Sequence, residues 1–436
     1  MKLKSILFAI TLVMVLPTMV QADEGENVYY YILVDRFESG DIDQVGVNLD
    51  DPEGFHGGDF QGIENRIDHL ATLGVTHIIL SPVFQTNDYT GVNVTSYEKI
   101  QETFGTKEDL SQLIQSLNDQ NMEVLLHFPI TDNLTEDEMI NHLQAWKDGL
   151  PISGYYFSDL DKQPDATWQR IIDEVDSWFM TEVTNNPEKW IQLGFDRVVD
   201  RSVRDEAVNF LKDFDQPLEP LLNATDWSNG QIVQSMDLYD TDRFTHSFAA
   251  TGSHPITHWK LAITYLMTTA NEPLFYQGTE IPLDGVTEDL SHHQTVNFLA
   301  GDDQLIRHIE KISNAYDDLP SLAKGEFELL HADDGYLVFK RTYKDETTIV
   351  AINNSSSLQK VDIELEPGLE LRGLLIDDLV REKEEGIYTV AAERESSNIF
   401  MVQNSTGIYW PLILIFGGIM AIFVTFTLVM YRKNKK

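Results

Sequence analysis

Residues 55–84 read FHGGDFQGIENRIDHLATLGVTHIILSPVF, and this stretch decides the fold. Apolar residues recur at helical spacing from Ile63 to Leu73, and Gly74 marks the end of that helix. Residues 75–80 are rich in apolar and β-branched side chains and end at a Ser-Pro pair, which predicts a buried strand. The stretch is therefore predicted to be a helix that leads into a strand.

The alternation of strands and helices continues on both sides of this stretch. Residues 28–34 (VYYYILV) predict the preceding strand, and a helix over 107–117, opened by Thr106, leads to a strand over 124–128. Strands and helices that alternate at this spacing indicate right-handed βαβ units and a parallel sheet. Further strands are predicted at 195–199, 221–222 and 273–276.

From Gly325 to Val402 the sequence changes to short strands of alternating polarity with turn residues between them. Strand follows strand here without an intervening helical pattern. This pattern of short alternating strands predicts a separate antiparallel β domain.

The two ends of the chain carry targeting signals. Residues 1–22 combine two lysines, an apolar stretch over 7–16 and a Val-Gln-Ala sequence before Asp23, which predicts a cleaved signal peptide. Residues 411–430 carry no charge and are long enough to span a bilayer, and basic residues follow at 432–436. These features predict a single-pass type I protein of the cell membrane with a large extracellular domain.

The composition excludes several classes of function. The chain has 436 residues, 31 Lys and Arg, 71 Asp and Glu, a net charge of −40 and no cysteine. Six of the basic residues and none of the acidic ones lie in the two ends, so the exported part is even more acidic. Nucleic acid is therefore not expected as a partner, and disulfides, thiolate zinc sites and cysteine nucleophiles are excluded.

Five segments in the same order resemble the α-amylase family, glycoside hydrolase family 13. They are YYYILVDRFESGD (29–41), the stretch 55–84, VTSYEKIQETFGTKEDLSQLI (94–114), PLFYQGTEIPLDG (273–285) and the run 305–355. The resemblance implies retaining cleavage of α-glucosidic bonds at the carboxyl ends of barrel strands. It also implies a carboxylate nucleophile, a protonated carboxyl acid and a second aspartate that stabilises the transition state.

The fold that the resemblance implies is α/β, a (β/α)8 barrel followed by a β-sandwich. The barrel is expected over 23–324, with an insertion after strand three at about 129–190, and the antiparallel sandwich over 325–402. The remaining segments are the signal peptide 1–22, a linker 403–408, a transmembrane helix 409–431 and a cytoplasmic tail 432–436.

The family's catalytic motifs match this chain incompletely. Its strand-four motif, Gly-x-Asp-Gly-Phe-Arg-x-Asp, ends in the nucleophile and is approached by residues 194–196. This match places the nucleophile at Arg201 or, after a one-residue shift, at Asp200. The strand-five proton donor belongs to a Gly-Glu pair, whose position falls on Ala224, two residues before Asp226.

Two further motifs lie after strands three and seven. The motif after strand three, Asp-x-Val-x-Asn-His, falls on residues 127–132 and differs at all four of its defining positions. The motif after strand seven, Asn-His-Asp followed by an arginine, keeps its aspartate as Asp240 and the arginine as Arg243. Ala224 and Asp240 are 16 positions apart, but a βαβ unit takes about 30 residues. Either the barrel lacks a unit or one of the two segments is misassigned. The candidate residues are Asp240 and Asp200 for catalysis and Arg243, His56 and Tyr31 for substrate binding.

No cofactor is required, but a metal is possible in the first long loop. Asp41, Asp43 and Asp59 lie where some members of the family bind an additional calcium, and oxygen-rich loops suit Ca²⁺. Plain loop acids are the alternative on so acidic a chain. The adjacent pair His292-His293 lacks the spacing of a zinc site on a helix.

Three hypotheses about function stay open. In the first, the protein is a catalytically impaired cell-surface member that binds α-glucan, maltooligosaccharide or a partner, since removing one catalytic member costs orders of magnitude in rate. In the second, Asp200, Asp226 and Asp240 form a rebuilt hydrolase site. In the third, the barrel is an accessory subunit of a membrane protein.

Overall fold

The computed structural model describes residues 27–40, 47–224, 227, 229–250, 254–300, 303–405 and 410–434. The predicted signal peptide 1–22 lies outside the described residues, as do Asp41, Asp43 and Asp226.

The described residues before Gly325 form a closed barrel of eight parallel strands with helices around it. Ten strands are described before Gly325, and eight of them form the barrel. In chain order the ten are β1 (Tyr29–Ile32), β2 (His77–Leu80), β3 (Phe84–Thr86), β4 (Val94–Ile100), β5 (Glu123–His127), β6 (Gly154–Phe157), β7 (Trp178–Val183), β8 (Arg197–Asp200), β9 (Ile232–Ser235) and β10 (Glu272–Tyr276). Their order around the barrel is β1-β2-β5-β6-β7-β8-β9-β10, and β10 pairs with β1 to close it. The strands β3 and β4 form a separate hairpin. The predicted barrel class is confirmed, and all eight strands are present.

The helices of the barrel follow its strands. They are α1 (Val34–Phe37), α2 (Phe60–Glu64), α3 (Ile67–Thr72), α4 (Lys107–Asp119), α5 (Glu136–Gly149), α6 (Asp165–Glu174), α7 (Pro187–Leu193), α8 (Arg201–Lys212), α9 (Glu219–Ala224), α10 (Phe244–Ala249), α11 (Pro255–Thr268), α12 (Asp303–Asp318) and α13 (Pro320–Lys324). The predicted opening of α4 is confirmed, because the Thr106 side chain accepts from the Asp109 amide in a reciprocal capping box.

The middle of the barrel differs from the sequence prediction. The segment 195–199 overlaps β8, the sixth barrel strand rather than the fourth, and 221–222 lies in helix α9 rather than in a strand. The predicted insertion at 129–190 contains the fourth and fifth barrel strands, β6 and β7. These errors have one cause, since a short apolar run does not distinguish a strand from a buried helix turn.

Gly154 shows why β6 is easy to overlook and yet strongly determined. A Cβ atom at this position would lie 1.9 Å from the carbonyl oxygen of Trp178 on β7. Only glycine allows the two backbones to approach this closely. The strand therefore begins with a residue of poor strand propensity, although all four of its residues are buried.

The C-terminal domain is an antiparallel sheet of eight strands. They are β11 (Glu326–Asp333), β12 (Tyr336–Tyr343), β13 (Glu346–Asn353), β14 (Gln359–Glu364), β15 (Leu369–Gly373), β16 (Leu379–Glu384), β17 (Ile387–Ala392) and β18 (Ser396–Asn404). The sheet folds over a core that contains Val338, Tyr388 and Phe400. Arg341 ties this domain to the barrel, because its Nη1 atom donates to the Thr268 carbonyl oxygen at 2.8 Å.

Helix α14 (Trp410–Asn434) follows the last strand. Its stretch Leu414–Lys433 has a mean hydropathy of 2.2 and no buried residue. Among the described residues it is the one helix long and apolar enough to cross a membrane.

Candidate functional site

The carboxyl ends of the barrel strands β6 to β9 surround an open cavity of about 530 Å³, which we call the mouth cavity. Its wall includes the acids Asp159, Glu182 and Asp240, the cation Arg201 and the indole of Trp190. Ligands of parallel barrels bind at this end of the strands, because the βα loops meet there. The mouth cavity is therefore the candidate functional site.

Glu182 is the buried acid of the mouth cavity. It lies on β7 with 5% of its side chain exposed, and its Oε2 atom is 3.1 Å from Nη1 of Arg201. Burial raises the pKa of this carboxyl to about 7, although the charge of Arg201 acts in the opposite direction. A carboxyl that titrates near neutrality is suited to donate a proton. The sequence analysis did not single out Glu182, whose one signal is a lone carboxylate in the run WFMTEV.

Arg201 joins Glu182 to the second acid of the cavity, Asp240. Its Nη1 and Nη2 atoms each lie 3.0 Å from an oxygen of Asp240, which makes a two-pronged hydrogen-bonded ion pair. The Asp240 side chain is 41% exposed and faces solvent as well. The Arg201 guanidinium thus contacts the carboxylates of both Glu182 and Asp240. Arg201 is the residue on which the ungapped match to the strand-four motif placed the nucleophile.

Asp200 and Ala224 do not have the catalytic positions predicted for them. Asp200 is the buried N-terminal cap of α8, where its Oδ1 atom accepts from the Ser202 amide at 2.9 Å and from the Ser202 hydroxyl at 2.7 Å. Ala224 ends helix α9, which lies between the sixth and seventh barrel strands. The prediction of Ala224 as the proton-donor position is therefore wrong, because the donor follows the fifth strand. The Asp200 carboxylate is engaged as a helix cap after the sixth strand, and its role as a nucleophile stays a prediction.

Arg243 has no exposed side-chain surface, and its role as a substrate contact stays a prediction. Its Nε atom donates to the His292 carbonyl oxygen at 3.0 Å and its Nη1 atom to the Gln277 carbonyl oxygen at 2.9 Å. The guanidinium also pairs with the buried Asp237 at 3.4 Å. Arg243 thus holds the loop after β10 against the loop after β9.

Ser158 follows the fourth barrel strand and belongs to a buried hydrogen-bonded chain. Its Oγ atom lies 3.0 Å from Nε2 of His127, and Nδ1 of His127 lies 2.8 Å from the Tyr31 hydroxyl. Burial lowers the pKa of His127 to about 3, which keeps this imidazole neutral. The predicted substrate-binding residue Tyr31 is buried and bonded to His127.

Tyrosine rings fill the barrel beneath the mouth cavity. Tyr31 stacks on Tyr239 with ring centres 5.3 Å apart, and it meets Tyr156 and Tyr276 edge to face at 5.9 Å. Tyr31, Tyr156 and Tyr276 are buried, and burial raises the pKa of each hydroxyl well above its usual value. These four residues, which we call the tyrosine cluster, are neutral and close the centre of the barrel.

His56 and Asp59 form hydrogen bonds that stabilise the loop after β1. The Nε2 atom of His56 is 3.0 Å from the Asp51 carbonyl oxygen, and its Nδ1 atom is 3.2 Å from the Thr295 hydroxyl. Asp59 caps α2 by accepting from the Gly62 amide at 2.7 Å. The described residues contain no group of three or more His, Cys, Asp or Glu arranged to hold a metal ion. Calcium binding stays a prediction, since Asp41 and Asp43 lie outside them.

Comparisons with known proteins assign this barrel to a family. Residues 31–209 match the family described as alpha amylase, catalytic domain, and residues 325–400 match the alpha-amylase C-terminal domain. The crystal structure of an Anoxybacillus α-amylase is 31% identical with a TM-score of 0.82, over 88% of this chain and 99% of that chain. An α-amylase from Geobacillus thermoleovorans, complexed with acarbose, is 29% identical with a TM-score of 0.78, over 87% of this chain and 99% of that chain. The chain belongs to the α-amylase family.

A longer relative shows that the same barrel also occurs within larger proteins. The beta/alpha-amylase of Paenibacillus polymyxa is 25% identical over 474 residues, which covers 87% of this chain. The match spans 38% of the length of that protein.

Family membership allows the motifs to be placed on the observed strands. Residues 154–158 (GYYFS) then match Gly-Phe-Arg-x-Asp, with Tyr156 at the arginine and Ser158 at the nucleophile. The Gly-Glu pair corresponds to Thr181-Glu182, so Glu182 stands at the proton-donor position of the motif. Tyr239 stands at the histidine of Asn-His-Asp. Carboxyl groups thus occupy the motif positions of the acid and of the second aspartate, whereas a hydroxyl occupies that of the nucleophile.

Proposed function

We propose that this chain is a cell-surface member of the α-amylase family that binds α-glucans or maltooligosaccharides and has lost most hydrolytic activity. The observation that carries the proposal is Ser158 at the end of the fourth barrel strand. Retaining hydrolysis needs a carboxylate there to form the glycosyl intermediate. The neutral His127 and the tyrosine cluster that surround Ser158 supply no negative charge to replace it.

The ion pairs of Arg201 also favour binding over turnover. The cation at 3.1 Å stabilises the ionised form of Glu182, although burial still raises the pKa of this carboxyl to about 7. The same guanidinium is bonded to both oxygens of Asp240. Both carboxyls are thus held by Arg201 at the mouth cavity.

Several features support a saccharide as the ligand. The mouth cavity is open, and its wall carries several hydrogen-bonding side chains, which suit the hydroxyls of a sugar. The relative from Geobacillus thermoleovorans is complexed with acarbose. A maltooligosaccharide is therefore the ligand to test first.

The ends of the chain support the proposed location. Helix α14 has the length and hydropathy of a membrane span, and basic residues follow it. The protein would be anchored by α14, with the barrel and sheet outside the cell. Recovery in the membrane fraction after alkaline carbonate washing supports this location, whereas release into the supernatant contradicts it.

A hydrolase is the second candidate, because Glu182 keeps the position and the pKa of about 7 that a proton donor needs. Asp240 would then be the aspartate of the mouth cavity that keeps its family motif position, with Asp159 as a further acid of the same wall. The accessory-subunit hypothesis stays a prediction, and copurification of a second protein in constant ratio would test it.

Binding and hydrolysis should be measured side by side on the full chain in detergent micelles. Calorimetric titration with maltoheptaose reports binding, and release of reducing sugar reports turnover. The proposal expects saturable binding without turnover, and Asp240→Asn should weaken the binding. Turnover that disappears in Glu182→Gln and Asp240→Asn would establish the hydrolase instead. Absence of maltoheptaose binding would refute the glucan proposal.

A further inference from the structure

The wall of the mouth cavity carries more negative than positive charge. Among the described residues that line it, one is a cation, Arg201, and four are acids. The acids are Asp159, Asp161, Glu182 and Asp240. A cleft lined by charges of one sign concentrates the electrostatic field and attracts ligands of the opposite sign. The excess of acid therefore favours a cationic ligand over a neutral one.

Two of the four carboxylates already have a cationic partner within the protein. Both oxygens of Asp240 accept from Arg201 at 3.0 Å. An oxygen of Asp159 lies 2.9 Å from Nζ of Lys162, which is close by on the same loop. These two pairs leave the other two acids of the wall to be matched by a ligand.

Glu182 is the first of these acids, and one of its oxygens has no donor. The side chain is 5% exposed, and no described residue makes a hydrogen bond to its Oε2 atom. Nη1 of Arg201 lies 3.1 Å from this atom as an ion pair, but its hydrogen bond goes to Asp240. A buried acceptor without a donor costs free energy, which a donor on a ligand would recover. Because Glu182 lines the mouth cavity, a cation that enters it meets this carboxylate.

Asp161 is the second of these acids. It lies in the short 3₁₀ helix Leu160–Lys162 after β6, lines the cavity, and is exposed. Its carboxylate forms no ion pair or hydrogen bond with another residue in the described part of the chain. Ionised carboxylates only accept hydrogen bonds, and an ammonium group offers three donors and no acceptor, whereas a hydroxyl offers one donor. An ammonium group therefore fits this wall better than a sugar hydroxyl.

We infer that the saccharide taken up by the mouth cavity carries an ammonium group, which pairs with Glu182 and Asp161. This inference rests on the proposed function and deepens it, because it makes an amino sugar the preferred class of ligand. Complementary charge gives specificity as well as faster association. The ligand is thus an α-linked oligosaccharide whose positive charge matches the two uncompensated acids.

Three forms of maltotriose test the inference, because they differ only at C6. The first is maltotriose itself, and the second carries an amino group in place of each C6 hydroxyl. The third is the acetamide of that amine, which has the same linkages but no charge. Calorimetric titration of the full chain in detergent micelles at low salt, at about pH 7, gives the three dissociation constants.

We expect the wild type to bind the amine about tenfold or more tightly than maltotriose or the acetamide, and added salt should reduce this preference. In Glu182→Gln and in Asp161→Asn the ratio of amine to acetamide affinity should fall about threefold or more. Asp176→Asn is the matched control, because Asp176 is an exposed acid just before β7, at the opposite end of the strand from the cavity. It should leave the ratio unchanged. Thermal unfolding of all variants checks that they are folded.

Proton release provides a second readout at Glu182. Its carboxyl faces Arg201 from α8, Asp240 from the loop after β9 and the tyrosine cluster, and burial raises its pKa to about 7. A bound cation favours the ionised form, so binding of the amine near neutral pH should release part of a proton. Titrations in buffers of different ionisation enthalpy measure this release. The acetamide should release none, and neither should the amine bound to Glu182→Gln.

Two results would overturn the inference while maltotriose binding left the proposed function in place. One is equal affinity of the wild type for the amine and the acetamide. The other is a preference for the amine that Glu182→Gln and Asp161→Asn both leave unchanged, which would mean that the cation binds elsewhere on this acidic protein. Failure of the wild type to bind any of the three sugars or maltoheptaose refutes the proposed function and the inference with it.

Discussion

Replacing Glu182 with glutamine tests whether a titrating carboxyl is buried at the mouth of the barrel. Burial raises its pKa from 4.5 to about 7, so the folded protein holds a proton there that the unfolded chain releases at lower pH. The stability that depends on this proton is present below the unfolded pKa and is lost as the pH rises through the folded pKa. A difference of roughly 2.5 pKa units corresponds to about 3 kcal/mol of unfolding free energy.

Urea unfolding of the full chain in detergent micelles, at about pH 5 and about pH 8, measures this effect. We expect the wild type to lose about 2.5 kcal/mol more than Glu182→Gln between the two conditions, because a small part is already lost at pH 5. Asp200, Asp237 and Glu272 also have pKa values raised by burial, but they titrate in both proteins and their effects cancel in the comparison. Substitution of the exposed Glu366 by glutamine should leave the wild-type dependence intact.

The same comparison has a clear contrary outcome. If Glu182→Gln loses as much stability as the wild type, to within about 1 kcal/mol, Glu182 does not titrate near neutrality. The assignment of Glu182 as the buried proton donor would then be refuted, whatever activity the protein has.

Three other changes test separate parts of the structure. Asp200→Ala removes the cap of α8 and should lower the unfolding free energy by about 1–2 kcal/mol without changing sugar affinity, whereas weakened sugar binding would return Asp200 to the site. Gly154→Ala forces a Cβ against the Trp178 carbonyl oxygen and should cost about 3 kcal/mol or prevent folding, and full stability on urea titration would contradict the close approach of β6 and β7. Ser158→Asp combined with Tyr156→Arg returns the family pattern to the fourth strand and should raise reducing-sugar release from maltoheptaose about 100-fold or more; an unchanged rate would show that other features block turnover.

The sequence predicted the outer parts of the barrel well and its middle badly. The first three strands and the last one combine apolar runs with helix signals, as at 55–84, where Gly74 ends the helix and a buried strand follows. The fourth and fifth strands offered little of this signal, because GYYF is short and WFMTEV contains a charge. Local patterns do not distinguish such strands from loops or insertions.

The misplaced site follows from one misleading match. The Gly-Phe pair at 194–195 resembles the fourth-strand motif, but Gly194 has φ of 116° and ends helix α7. A glycine at a helix C-terminus and a glycine in the motif are indistinguishable in sequence. Once that match was accepted, Glu182 fell outside the site and Ala224 was moved into it. The correct assignment needed the strand order, which only the three-dimensional structure provides.

The charges in the mouth of the barrel argue that the site is specialised rather than merely degraded. In the family pattern the fourth strand supplies an arginine, but here that position is Tyr156, and Arg201 brings a guanidinium to Glu182 and Asp240 from the start of α8. Burying Glu182 lowers stability by about 3 kcal/mol above neutral pH, and replacing buried charges by apolar residues is often stabilising. The barrel has no structural need for this cost, because the tyrosine cluster already fills its centre. Groups that lower stability without supporting the fold are typical of sites that bind or react. An acid, an aspartate and a new cation at the entrance, above the tyrosine cluster, therefore favour recognition of a polar ligand at the mouth over chemistry inside the barrel.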